Sequence, residues 1–166
     1  CAGGIWDDGS YAVPPALVQQ VFPNRIPFCP TTNPNCGASA ATYDSFFLNI
    51  NGNISFGQAV PTFTPDAIPG LTIPTIAAWY ADVDFGEPGD IDLSDTYLCV
   101  DPDRRRIILT WDRVGYYSEN YEKRNSFQII LNNLEGECAA ANSFGVEFRY
   151  GRLEWTTGDA SGGVGG

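Results

Sequence analysis

The chain has 166 residues, enough for one domain with a sizeable core. Its 20 acidic residues against 9 basic ones give a formal charge of −11, which argues against nucleic-acid binding, because counterion release needs clustered Lys and Arg. The absence of His removes the commonest general base and the commonest zinc ligand, and Ser/His/Asp chemistry with them.

In chain order, residues 1–40 read as an irregular segment with one short helix in PALVQQVF, where Pro takes the first helical position. Cys29 and Cys36 bracket a tight loop, PTTNPN, within it. From Tyr43 the pattern becomes β. SFFLNI, NGN and ISFGQAV predict a hairpin turned at an Asn-Gly that tolerates positive φ. PTFTPDAIPGLTIP is a proline-punctuated loop that cannot lie in a central strand. TIAAWYADVDF follows as a strand, with Ala78, Tyr80, Asp82 and Asp84 on one face and Ala77, Trp79, Ala81 and Val83 on the other. DTYLCVD and RRIILTWDRVGYY predict antiparallel strands joined through DPDRR, and Arg104-Arg105-Arg106 reads as a solvated turn. SFQIILNNL and FGVEFRYGRLEW continue the meander across EGECAAANS.

Short strands at regular spacing with scarcely any helix predict an all-β fold, an antiparallel β-sandwich or rolled sheet with a short N-terminal helix and long Pro/Gly-rich loops. The reading is a single domain over 1–166, with a β core over 41–157 and a Gly-rich tail over 158–166. No apolar run reaches the roughly 18 residues that would mark a membrane-spanning helix.

The cysteines are Cys1, Cys29, Cys36, Cys99 and Cys138. They form no CxxC zinc pattern, so Cys29, Cys36, Cys99 and Cys138 are expected in disulfides, formed in an oxidising compartment. Cys99 and Cys138 lie in or beside predicted strands and can join two of them, although sequence does not fix connectivity. Cys1 is left over. It suits an intermolecular bridge or a lipid anchor, or it pairs internally and frees another cysteine.

The stretch WYADVDFGEPGDIDLSD places six carboxylates in 17 positions. Asp82 and Asp84 share a strand face, and with Glu87, Asp90 and Asp92 they can supply hard oxygen ligands to calcium. The EF-hand pattern is absent, since the fifth and twelfth positions from Asp82 are Gly86 and Leu93. The rival reading is structural: the two aspartates accept hydrogen bonds from backbone or from Arg113. Paired carboxylates also run glycoside hydrolysis, but nothing here distinguishes an acid from a nucleophile.

Trp111, Tyr116, Tyr117 and Tyr121 are candidate interface aromatics, with cross-strand packing as the ordinary alternative. The glycines of GDASGG fit tight turns or close backbone approach rather than a phosphate loop, which needs a GK[ST] ending. Asn53-Ile54-Ser55 is a glycosylation sequon.

Five stretches stand in a telling order: LNINGNISF, IAAWYADVDF, ILTWDRVGYY, NSFQIIL and FGVEFRYGRLEWTTGDASGG. Together they resemble the NIDO domain, the extracellular module shared by nidogen, alpha-tectorin and the mucin-4 group. The resemblance runs from about Asp7 to Gly166, with residues 23–40 as an insertion. It implies a secreted or cell-surface module of cell–matrix or matrix–matrix adhesion, with extracellular protein partners and no known catalytic function. Calcium at the acidic stretch is the one candidate cofactor, and none is required on this reading. Two alternatives remain beside it. One is a self-assembling subunit of an extracellular fibre or coat, forming homo-oligomers or filaments. The other is a glycan-binding or glycan-cleaving domain.

Overall fold

The computed structural model describes residues 2–3, 9–28, 41–68, 70–85, 95–137 and 143–164. Two antiparallel sheets dominate, and their apolar faces meet in one core, as expected of a sandwich. The strands of the larger sheet are β1 (Ala2–Gly3), β8 (Val83–Asp84), β9 (Asp95–Asp101), β10 (Arg106–Tyr116), β11 (Asn120–Asn133) and β12 (Phe144–Leu153). They run in the order β1-β9-β10-β11-β12, with β8 pairing the end of β10 beyond β9.

The smaller sheet orders β2 (Ser10–Val13), β5 (Phe46–Asn49), β6 (Asn53–Ser55) and β7 (Thr75–Ala77) as β2-β5-β6-β7. A separate pair joins β3 (Ile26–Phe28) to β4 (Ala41–Tyr43). Residues 1–40 thus hold strands as well as the short helix α1 (Pro15–Val18), whose second residue of proline, after Pro14, opens the turn.

Alternation explains the core. In β10 the inward residues Ile107, Leu109 and Trp111 are fully buried, and across the register they face Leu131, Ile129 and Phe127 of β11. The smaller sheet contributes Val13, Phe46, Leu48, Ile54 and Ile76 from the opposite side. Trp111 stacks on Phe127 with ring centroids 5.1 Å apart, and its indole N–H donates to the Ile50 carbonyl at 2.7 Å, tying the two sheets together.

The hairpin turns at Ile50-Asn51-Gly52, as the Asn-Gly signal predicts, with Gly52 at φ +79°. A Cβ there would stand 1.6 Å from the Trp79 carbonyl oxygen, so only glycine lets the two chains approach. All three asparagines of this motif are buried and used. Asn49 gathers Ser10, Asn53, Ser55 and the Val60 N–H around its amide. Asn51 accepts the Val83 N–H at 3.1 Å and donates to the Thr62 carbonyl at 3.3 Å. Asn53 and Ser55 are fully buried, so the sequon cannot carry a glycan on the folded chain.

The stretch TIAAWYADVDF is two strands rather than the one expected. Its first part is β7 in the smaller sheet, and its last part is β8 in the larger. The N–H groups of Ala78 and Trp79 both donate to the Gly52 carbonyl, at 3.2 and 3.3 Å, and the chain leaves the β7 ladder there. A strand that switches sheets closes one corner of the sandwich. β11 also starts earlier than the apolar pattern indicates, because the turn Tyr117–Glu119 hands directly into it. Ser118 and Glu119 both take positive φ there.

Candidate binding site

The corner made by β8 is where the carboxylates of the acidic stretch can be placed. Val83 is fully buried, Asp82 before it is buried too, and Asp84 after it is half-buried. The Asp84 carboxylate accepts the Glu119 N–H at 2.8 Å and the Tyr121 hydroxyl at 3.1 Å, and Tyr121 also donates to the Phe85 carbonyl at 2.9 Å. Asp84 therefore anchors the turn between β10 and β11. The Asp82 carbonyl accepts the Tyr117 N–H at 3.2 Å. Arg113 ion-pairs with its neighbour Asp112 at 3.4 Å. Glu87, Asp90 and Asp92 lie outside the described residues. Among the described residues no three or more His, Cys, Asp or Glu gather as a metal would need.

Asp82 lines a cleft of about 350 Å³ together with Phe63, Pro65, Tyr80, Thr156 and Thr157. Tyr80 and Thr62 share a hydrogen bond of 2.6 Å at its rim. The opposite wall is the glycine loop. Gly158 has φ +61° and lies under the Tyr116 ring, and Gly163 passes so close to the Gly158 carbonyl that a Cβ would meet it at 1.8 Å. This is close backbone approach, the use expected of GDASGG. Of the two strand carboxylates only Asp82 lines the cleft. It offers an aromatic wall, one carboxylate and two hydroxyls, a set suited to holding a small polar group.

Two of the four candidate interface aromatics are core residues. Trp111 is fully buried, and Tyr116 is 2% exposed against Trp155, at 5.6 Å between ring centroids. They cannot form a contact surface: Trp111 faces inward by alternation, and the register irregularities between Trp111 and Tyr116 turn the second ring inward as well. Tyr117 is exposed, and Tyr121 is half-buried with Arg124 stacked over its ring at 4.8 Å. The Tyr116 hydroxyl donates to Glu122 at 2.7 Å. That bond, with burial and the Glu122 charge, pushes the phenol up to about 12 and holds Glu122 below the usual carboxylate range.

The face that sequence reading missed belongs to β12. Val146, Phe148 and Tyr150 stand opposite Leu131, Ile129 and Phe127, so they lie on the core side of the larger sheet. Yet they are 39%, 43% and 48% exposed, and Leu153 beyond them is similarly bare. Phe144, at the start of the strand, is covered by Phe22 and Phe28. Tyr150 reaches the Ala78 carbonyl through its hydroxyl at 2.9 Å. The middle of the strand is left open. The signal was present in the alternation of VEFRY, but alternation names a face without naming what covers it.

Cys99 is disulfide-bonded. The other cysteines, Cys1, Cys29, Cys36 and Cys138, all lie outside the described residues. Among the described residues no helix is long and apolar enough to cross a membrane.

Comparison with known proteins places this geometry. The profile of the Nidogen-like domain (NIDO) matches residues 44–98 and 100–166. Nidogen of Drosophila melanogaster is 28% identical over 143 residues, covering 72% of this chain and 10% of the relative. Alpha-tectorin of Mus musculus is 32% identical over 146 residues, covering 73% of this chain and 6% of the relative. Alpha-tectorin of Gallus gallus is 31% identical over 143 residues, with the same two coverages. The chain thus spans a tenth or less of the length of these relatives. No solved structure gives a significant match. The hairpin glycine, the split DVD strand and the glycine loop all fall within the matched residues, and the chain belongs to the nidogen-like domain family.

Proposed function

We propose that this chain is an extracellular, non-catalytic matrix module that works by protein–protein contact, in cell–matrix or matrix–matrix adhesion. The observation that carries the reading is the open apolar face of β12, where Val146, Phe148 and Tyr150 stand exposed on an otherwise well-filled sandwich. A contiguous exposed apolar patch is a mark of a contact surface. Membership of the nidogen-like family supports the extracellular setting, and a disulfide at Cys99 suits an oxidising compartment.

The test is surface-immobilised binding of the chain to a panel of purified matrix proteins, this chain included, beside a Phe148→Glu variant. Saturable binding that the variant loses is the expected result. Binding to none of the panel, or binding indifferent to Phe148→Glu, overturns it.

One observation favours a second reading. The cleft sets Tyr80 and Phe63 beside the Asp82 carboxylate, a combination able to stack on and hydrogen-bond to a sugar. A glycan array decides this, with Tyr80→Ala as the control that should abolish any signal.

A further inference from the structure

We propose that β12 pairs antiparallel with β12 of a second copy of this chain, about a two-fold axis at Phe148, joining two larger sheets into one. Among the described residues β12 is the last strand of its sheet and pairs only with β11. A free edge is ordinarily blunted by charged side chains, Lys above all, by Pro or by a bulge. Residues Val146–Tyr150 hold no Lys or Pro, their two charges are of opposite sign, and the irregularity in the β11–β12 register falls just after them, between Tyr150 and Leu153.

The charge pattern selects one register. Directly opposed residues of an antiparallel pair share a sheet face. Centring on Phe148 sets Glu147 against Arg149 of the second copy, Arg149 against its Glu147, and Val146 against its Tyr150. Within one chain Arg149 already bonds Glu147 at 2.6 Å. The pairing therefore builds a square of four alternating charges on the outer face. On the core side, Val146, Phe148 and Tyr150 of the two copies form one apolar stripe. Shifting the centre to Glu147 or Arg149 sets like charges against each other, and centring between residues breaks the sharing of faces. The sequence VEFRY is thus complementary to itself in one antiparallel register.

With about five residues from each copy along the seam, the contact is small and the dimer is a weak, concentration-dependent one. Exposed ion pairs are also screened by salt, so the dimer weakens as salt is raised. A closed two-fold contact gives a dimer and not a filament.

This inference rests on the contact-module reading, and sedimentation velocity from micromolar to millimolar concentration, with the native disulfide kept oxidised, tests it separately. The expected result is a monomer–dimer equilibrium. Arg149→Glu and Glu147→Arg should each weaken it by roughly tenfold or more, since both cross-strand pairs become like-charged. The two variants mixed should form a heterodimer, and Glu147→Arg combined with Arg149→Glu should restore the homodimer. Restoration also rules out misfolding as the cause of any loss. A monomer at every concentration, or a dimer indifferent to the reversals, overturns the proposal. If such a monomer still binds a matrix protein through Phe148, the contact reading survives without self-pairing; if neither is seen, both fall.

Discussion

Strands β10 and β12 flank β11 on its two sides and turn the same alternation toward the same side of the sheet, yet they meet different surroundings. Ile107, Leu109 and Trp111 of β10 are fully buried, whereas Val146, Phe148 and Tyr150 of β12 stand 39–48% exposed. Among the described residues the smaller sheet has four strands, and the middle of β12 stands uncovered beside it. The sheet's other flank is finished differently: β9 is bordered by the two-residue β1 and carries the disulfide at Cys99. An apolar face is therefore either a core or an interface, and what decides between them is the reach of the opposing layer.

The largest effect should come from testing that contrast directly. Trp111→Ala removes a fully buried ring, its stack on Phe127 and its hydrogen bond to Ile50. It should cost about 3–5 kcal/mol in denaturant unfolding. Phe148→Ala, on the same sheet face, should cost less than about 1 kcal/mol. Equal losses at the two sites would mean that β12 is covered after all.

The covalent flank comes next. Cys99→Ser should cost about 3 kcal/mol, the ordinary worth of a native disulfide. Non-reducing peptide mapping would name its partner. The pairing that the sequence positions of the strands suggest is Cys99–Cys138. A Cys99–Cys138 peptide would bear that pairing out, and a Cys1–Cys99 peptide would reject it and remove Cys1 from the intermolecular role.

Where β12 ends, a single buried side chain holds it. The Asn125 amide oxygen accepts the N–H groups of Glu154 and Trp155, at 2.8 and 3.2 Å, and its nitrogen donates to the Trp155 carbonyl at 3.0 Å. Asn125→Ala would leave those backbone groups unpaired among apolar neighbours, at a cost of about 2 kcal/mol. Hydrogen exchange at Glu154 and Trp155 should quicken in the variant. Unchanged protection would show that the exit of the strand is held from elsewhere.

Much of this was legible beforehand, and the gaps have physical causes. The Asn-Gly turn, the all-β class and the long strands followed from local chemistry and period, which residues carry in themselves. The split of TIAAWYADVDF did not, because the break is imposed by the Gly52 carbonyl, more than 20 residues earlier in the chain. Trp111 is buried because its side of β10 faces the second sheet, and Tyr116 because the irregularities between the two turn it to that side. The family signature in the sequence led to the right family, but the open face of β12 depends on the extent of a neighbouring sheet, and no local pattern encodes that.

The smallest effect, and the sharpest in sign, concerns the end of the β10–β11 hairpin, where Tyr116 donates to Glu122. The phenol's folded pKa is raised from 10.0 to about 12, first by that bond and then by burial. A raised folded value means that the folded state holds its proton more tightly. The stabilisation is therefore complete below pH 10 and is lost as pH rises toward 12. Glu122 is shifted the opposite way, held below 4.5 chiefly by the same bond, so its contribution is present above 4.5 and fades as pH falls through its lowered folded value. Tyr116→Phe removes both contributions at once. Its melting temperature, followed against pH beside the parent chain, should lose most of the alkaline decline. Part of the acid decline should remain, because Asp101 and Glu154 are also held low, by the Arg104 N–H and by Arg152 respectively. If the variant keeps the parent's full alkaline decline, the loss belongs to another phenol and the Tyr116–Glu122 bond contributes nothing to the hairpin's stability.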